Sequence, residues 1–360
     1  MPHGRYGEQM DLSWYAGKRV FITGHTGFKG VWLSFILQRA GALVTGYALS
    51  PTTPLFGIVR NDQIASEIGD IRDRDHLSEV FRDSHPDIVF HLAAQPLVLE
   101  GYRNPALTFD TNVMGTVNLL ECVRLADWEI SSVINVTTDK VYENNEWDWP
   151  YRETDPLNGH DPYSNSKSCS ELVTSCYRSS LVDNSIPLST ARAGNVIGGG
   201  DFADNRIIPD CIRSVIDGSV ISVRNPHSVR PYQHVLEPLS AYLKLAEVTA
   251  QNSSLASAYN VGPRDSDYLT TGELATLFCQ LWGEGARWEH EEVDNPPESQ
   301  LLRLDSSRIR KILGWEPRWG ISQAVSATVD WAKAWRRGDN IHAVMDHQIE
   351  QYFSAAPEQA

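Results

Sequence analysis

Thr23-Gly24-His25-Thr26-Gly27-Phe28-Lys29-Gly30 joins a β-branched run, Arg19 to Thr23, to an apolar stretch of helical character, Phe28 to Ala40. Glycines spaced G-x-x-G-x-x-G let a backbone turn tightly and approach a pyrophosphate, whose charge the N-terminus of the following helix stabilises. A glycine-rich turn alone serves packing as readily as binding; the strand before it and the helix after it favour a dinucleotide site. Gly24, Thr26, Gly27, Phe28 and Gly30 are the candidate contacts.

Outward from the loop, short strand-like runs (Leu43 to Ala48, Ile88 to Leu92, Ser132 to Thr137, Pro187 to Ala193) alternate with helical stretches (Asp75 to Asp83, Pro105 to Ala126, Pro162 to Leu181). That rhythm describes a parallel sheet covered on both faces. The expected fold is α/β, a Rossmann-like doubly wound parallel sheet with a smaller C-terminal α/β substrate domain. The pattern changes after Gly194, where Gly198, Gly199 and Gly200 are followed by irregular segments rich in Pro, Asn and Arg. The expected division is therefore 14–193 for the dinucleotide and 194–360 for the substrate, with segments near 230–260 returning to the first domain. Helices are expected at Arg206 to Asp217, Glu237 to Thr249, Thr271 to Leu281 and Asp305 to Leu313. The Trp-rich tail, Trp331 to Phe353, has apolar residues at helical spacing and reads as core or dimer contact rather than a base-stacking surface.

An acidic residue commonly ends the second strand of such a fold and holds the adenosine ribose, but here Ala48-Leu49-Ser50 stands there. No arginine sits at that strand end to clamp a 2′-phosphate, so the choice falls on NAD rather than NADP. Asp70 and Ile71, in Gly69-Asp70-Ile71-Arg72, are candidates at the adenine. Leu92, Ala93, Ala94 and Gln95 end a strand that should face the cofactor, as does Thr137. Each of these could equally cap or pack.

Tyr163-Ser164-Asn165-Ser166-Lys167 puts a phenol and an ammonium four residues apart, on one helix face. A cation beside the phenol is expected to lower its pKa, so that Tyr163 takes a proton from an alcohol as hydride leaves for a nicotinamide. A Tyr-x-x-x-Lys pair is common on solvated surfaces. Its place here, after the glycine loop and after Thr137-Thr138-Asp139-Lys140 at a strand end, argues for catalysis.

From about Lys18 to Trp315 the chain resembles the extended short-chain dehydrogenase/reductase family. Thr138-Asp139-Lys140-Val141-Tyr142 is similar to the signature of its nucleotide-sugar 4,6-dehydratases, and aspartate followed by lysine points to the branch acting on CDP-glucose. Residues 192–201 and 230–238 are similar to that branch as well. The resemblance implies a lyase with bound NAD that gives a 4-keto-6-deoxy sugar without net redox, feeding deoxy-sugar synthesis for bacterial surface polysaccharide. It gives Thr138 a hydrogen bond to the C4 oxygen, Tyr163 the C4 hydroxyl proton and Lys167 the nicotinamide ribose. Asp139 becomes the acid at the C6 hydroxyl and Lys140 the base at C5, although Lys140 could instead orient water or the C6 oxygen. Asn195, Arg206, Arg230 and Arg303 are candidates for the sugar diphosphate, Tyr232 and Gln233 for the base. A 4-epimerase on the same scaffold would have no use for the Asp139-Lys140 pair. Homodimers, or dimers of dimers, are implied through the two long helices Pro105 to Ala126 and Pro162 to Leu181.

Composition narrows the alternatives. The 360 residues are 41% hydrophobic, enough for about two cored domains, and 46 acids against 31 bases give a net charge of −15. That balance disfavours nucleic acid or an anionic membrane, and an anionic substrate then needs a local basic pocket. Met1 to Ala16 lacks the apolar core of a signal peptide, and Val31 to Val44 is too short to span a bilayer, so a soluble cytoplasmic protein is expected. The cysteines, Cys122, Cys169, Cys176, Cys211 and Cys279, form no C-x-x-C pair and read as reduced thiols. The eleven histidines show no metal-binding spacing, so no metal is expected.

Overall fold

Seven parallel strands form the central sheet of the computed structural model: β1 (Arg19–Thr23), β2 (Leu43–Ala48), β3 (Ala65–Ile68), β4 (Ile88–His91), β5 (Ser132–Val136), β6 (Leu188–Ala193) and β11 (Ala258–Val261). Their order is β11-β6-β5-β4-β1-β2-β3. The structure describes residues 11–59, 63–182, 186–292 and 301–354. Of the stretch read against a signal peptide, residues 1–10 lie outside them.

The order reverses between β1 and β4, and in doubly wound sheets ligands bind in the crevice beyond the strand ends at such a switch. Thr23, which closes β1, pairs in register with His91 on one side and Tyr47 on the other. The glycine loop therefore leaves the sheet at the crevice. Strands β4, β5 and β6 are buried along their whole length, as both covered faces require.

Helix α1 (Phe28–Arg39) buries Val31, Trp32, Leu33, Phe35, Ile36 and Leu37 against one face of the sheet, which it shares with α9 (Leu236–Gln251). On the other face lie α3 (Arg74–Ser84), α6 (Gly115–Arg124) and α7 (Pro162–Cys176), whose core includes Phe21, Leu77, Phe81, Leu119 and Val133. Between them run the short helices α2 (Leu55–Ile58), α4 (Val98–Arg103) and α5 (Pro105–Phe109). Each aliphatic or aromatic side chain buried in this way contributes about 1.5–3 kcal/mol. The stretches read as the single helices Pro105 to Ala126 and Pro162 to Leu181 each contain a wide π turn, at Asp110–Met114 and Tyr177–Leu181.

Beyond β6, three short strand pairs build the rest: β7 (Val196–Ile197) with β10 (Gln233–His234), β8 (Ile221–Val223) with β13 (Trp288–His290), and β9 (Val229–Arg230) with β12 (Leu269–Thr270). Helices α8 (Ile207–Ile216) and α10 (Thr271–Trp282) pack beside them, and α11 (Ser307–Leu313) packs against β11 and α9. Gly199 supports this junction, because a Cβ there would stand 1.9 Å from the Trp331 ring. Trp331 lies on α12 (Ile321–Arg337), which Gly338 ends in a left-handed turn before α13 (Ile341–Ser354). Trp331, Tyr352 and Phe353 are buried, so this part of the Trp-rich tail is core.

Candidate active site

A cleft of about 770 Å³ opens at the C-terminal ends of β4, β5 and β6 and is closed on its other side by residues from 194–232. Leaving β5, Thr138 caps a single 3-10 turn, Asp139–Val141, with its hydroxyl facing the Lys140 amide at 3.4 Å. The same hydroxyl donates to Asp139 Oδ1 at 2.9 Å. This turn presents Thr138, Asp139 and Lys140 to the cleft together.

Opposite the turn, Asp161 caps α7 by accepting the Ser164 amide at 3.0 Å, and Pro162 occupies the first helical position. Tyr163 and Lys167 follow on one face, both lining the cleft. One turn further on, buried Glu171 accepts hydrogen bonds from Thr137 (2.5 Å), Thr190 (2.7 Å) and Arg192 (2.9 Å). Lys167 itself donates to the Val136 carbonyl at 3.1 Å. Helix α7 is thereby fastened to β5 and β6 beneath the cleft.

Burial sets the protonation of this cluster. It raises the Asp139 carboxyl above the usual carboxylate range against the opposing Lys140, Thr138 and Arg230, and Asp139 Oδ2 is buried without a partner among the described residues. It lowers Lys167 to about 8, opposed by Glu171. The Tyr163 phenol is pushed up to about 12, again by burial first, with Thr138 and Arg206 working downward. This corrects the expectation that Lys167 depresses the phenol. Its ammonium is turned to the Val136 carbonyl, and the groups that do lower Tyr163 are Thr138 and Arg206.

The glycine loop is built as its spacing requires. Gly24 has φ of +78°, and a Cβ there would meet the Ala93 amide nitrogen at 2.8 Å. A Cβ on Gly30 would come within 2.1 Å of the Gly24 carbonyl oxygen. Exposed Gly27 begins α1 without a side-chain cap, leaving the first-turn amides of Phe28 and Lys29 to bind an anion. Thr26 does not point outward; its hydroxyl donates to the Leu49 carbonyl at 3.0 Å and ties the loop to the end of β2.

Several candidates are otherwise engaged. The Asp70 carboxylate is held by Arg72 at 2.6 Å, which keeps it below its ordinary pKa, and the Ile71 side chain is buried against Gly115. Gln95 spends its side-chain amide on Leu97 and Thr108, holding a turn. Phe28, Leu92, Ala94 and Thr137 line the cleft, whereas Ala93 gives its amide to the Thr23 hydroxyl. Asn195, Arg206, Arg230 and Tyr232 line the cleft too. Gln233 and Arg303 do not: the first is buried with its amide on the Val261 carbonyl, and the second lies over the Tyr268 ring.

Residues 21–328 match the family model described as GDP-mannose 4,6 dehydratase. The chain belongs to that dehydratase family. Within this family's reach, it is 47% identical over 356 residues to a CDP-glucose 4,6-dehydratase of Salmonella typhimurium, covering 96% of this chain and 99% of that protein. A dTDP-glucose 4,6-dehydratase from Streptomyces venezuelae, solved with NAD bound, superposes with a TM-score of 0.75 at 25% identity, covering 89% of this chain and 98% of that one. An epimerase from Methanothermobacter thermautotrophicus shares the fold at a TM-score of 0.81 and 22% identity, covering 91% and 95%. Two features in and beneath the cleft escaped the reading of the sequence. Glu171 sits one turn beyond Lys167, a periodicity that could have revealed it, and Lys29 is a cation in the first turn of a helix, where the helix dipole disfavours one.

Proposed function

We propose that the chain is a lyase that converts CDP-glucose to CDP-4-dehydro-6-deoxy-glucose and water with tightly held NAD. The observation that carries the reading is the cleft that gathers Tyr163, Thr138, Asp139 and Lys140, in a chain 47% identical over nearly its whole length to a CDP-glucose 4,6-dehydratase. The Asp139-Lys140 pair favours this chemistry over 4-epimerisation, which has no water to expel.

The uncapped start of α1 and its Gly24, Gly27 and Gly30 backbone fit the pyrophosphate of NAD, and Leu92, Ala94 and Lys167 fit the nicotinamide end. When bound, NAD would supply the acceptor for the C4 hydride and, once water has left, the donor that returns it to C6, with a solvent-exchangeable proton restored at C5 by Lys140. Tyr163, with Thr138 beside it, orients the C4 hydroxyl and accepts its proton as the phenolate, a form that the positive charge of bound NAD would favour. The resulting C4 ketone makes the C5 hydrogen acidic, and Lys140 removes it. Asp139, whose carboxyl burial shifts towards the acid form, gives its proton to the C6 hydroxyl, which leaves as water. Arg206 and Arg230 face the substrate diphosphate from the other wall.

We also assign residues 14–193 to the dinucleotide and 194–360 to the nucleotide sugar, with α9 and β11 lying on the sheet. Exposed Met114, Leu172 and Leu181 on the α6 and α7 side suit a homodimer, or a dimer of dimers, formed through those helices. No helix among the described residues is long and apolar enough to cross a membrane, which agrees with work in the cytoplasm on sugars for surface polysaccharide. Incubation with CDP-, dTDP-, GDP- and UDP-glucose tests the assignment. CDP-glucose should yield a 4-keto-6-deoxy product that absorbs strongly in alkali; formation of CDP-galactose, or turnover confined to another nucleotide, contradicts it.

A further inference from the structure

Lys29 is the second residue of α1, and its side chain turns away from the glycine loop into the cleft beside Thr138, Asp139, Tyr163, Lys167 and Arg206. The loop glycines, by contrast, do not line that cleft. A cation in the first turn meets the positive end of the helix dipole, a position where lysine costs stability unless another interaction offsets it. No hydrogen bond or ion pair among the described residues does. Nζ lies 5.8 Å above the ring of Tyr242 on α9, and no carboxylate or hydrogen-bond acceptor among the described residues reaches it.

The charges that face Lys29 are Lys167 on α7 and Arg206 at the start of α8, both repelling, and Asp139 after β5, attracting. Tyr163 and Tyr242 are the remaining titratable neighbours. Asp139 has its own pKa raised by burial, and Arg206 is paired with Asp201 at 3.2 Å. Lys29, Lys167 and Arg206 thus bring three cations to this part of the cleft, where Asp139 and Asp201 are the acids set against them. Burial and the two neighbouring cations bring the Lys29 amine down to about 7.

Taking the substrate to be a nucleoside diphosphate sugar, we infer that Lys29 is a ligand of its diphosphate that gains a proton as the nucleotide enters. The amine, in part neutral in the free enzyme, takes one proton from solvent and becomes an ammonium against the phosphate oxygens. No other bond forms or breaks. Because the bound amine holds its proton to higher pH than the free one, nucleotide affinity should be full below pH 7 and fall as pH rises from 7 to 9.

Titration calorimetry of the NAD-containing enzyme with CDP, in buffers of different ionisation enthalpy, reads this proton directly. At pH 8 roughly nine-tenths of Lys29 starts neutral, so wild-type enzyme should take up most of one proton more than Lys29→Met or Lys29→Arg. Lys167 remains in every variant, and because its charge couples to the one at position 29, the methionine (neutral) and arginine (charged) variants together bracket its share. Lys29→Met should bind CDP at least tenfold more weakly at pH 7; Lys29→Arg should keep the affinity and lose the uptake, and carries the test alone if the methionine variant does not fold. Equal proton uptake in wild type and the arginine variant overturns the inference. The same titration with UDP separates it from the choice of nucleotide: Lys29-dependent uptake with UDP bound more tightly than CDP supports the diphosphate role while contradicting the cytidine assignment.

Discussion

Asp139 and Tyr163 carry the largest consequences for single side chains. Asp139 Oδ2 lies buried without a partner among the described residues, and its carboxyl is shifted towards the acid form it needs as a proton donor. Replacing Asp139 with Asn and Lys140 with Ala together should leave oxidation at C4 possible while stopping loss of water. Single-turnover spectra would then show reduced cofactor persisting at 340 nm; full turnover by the double variant contradicts the assignment. Tyr163→Phe removes the base for the C4 hydroxyl and should lower kcat about 10²–10⁴-fold, measured by product absorbance in alkali. The sequence displayed these residues plainly, since Thr138, Asp139, Lys140, Tyr163 and Lys167 are contiguous or at helical spacing. It did not display their electrostatics. Burial is the largest influence at Tyr163, Lys167 and Lys29, and burial is set by residues far away in the chain.

At the level of elements, helix α7 is both catalytic face and fastener. Its Glu171 and Arg192 of β6 form an ion pair at 2.9 Å with both side chains almost fully buried. Glu171→Ala leaves the guanidinium in the core with only neutral partners and should cost about 3–5 kcal/mol of stability, read as a lower urea midpoint. The glycine loop gives a second prediction. Gly30→Ala drives a Cβ into the Gly24 carbonyl oxygen, so the loop must open, and the purified variant should carry less than a tenth of the wild-type bound dinucleotide while keeping its far-UV circular dichroism. Undiminished dinucleotide content contradicts the site. The strands β1, β2, β4, β5 and β6 were legible because they are apolar or β-branched runs. Strand β3 was not: Ala65-Ser66-Glu67-Ile68 forms an exposed edge and lacks the alternation that a covered face imposes. The two π turns leave the apolar pattern of their helices intact and so leave no trace in it.

Across the whole molecule, Glu237 joins the sheet to the C-terminal helices. Its carboxylate, on α9, accepts the Trp319 amide at 2.7 Å, the Arg318 amide at 3.0 Å and the Tyr352 hydroxyl at 2.8 Å. Burial nevertheless raises it to about 7. A carboxyl that keeps its proton longer when folded stabilises the fold fully below its unfolded value of 4.5, and that contribution is lost as pH rises to about 7. The loss is on the order of 3 kcal/mol. Glu237→Gln keeps acceptors for the amides, so it should fold and show a flatter fall in melting temperature between pH 5 and 8; an unchanged slope contradicts this role. No local pattern announces Glu237, because its partners lie more than eighty residues away. The doubly wound order and the cleft were legible from the strand rhythm and the glycine loop, whereas the placement of Gln233 and Arg303 outside the cleft depends on how the short strand pairs fold back. The central claim is that one cleft removes water from a hexose while its redox balance stays internal. Turnover of CDP-glucose in deuterated water with a measured excess of NAD tests it most directly: the account predicts a 4-keto-6-deoxy product carrying solvent deuterium at C5 with the NAD undiminished, and product formation that consumes the added coenzyme mole for mole contradicts it.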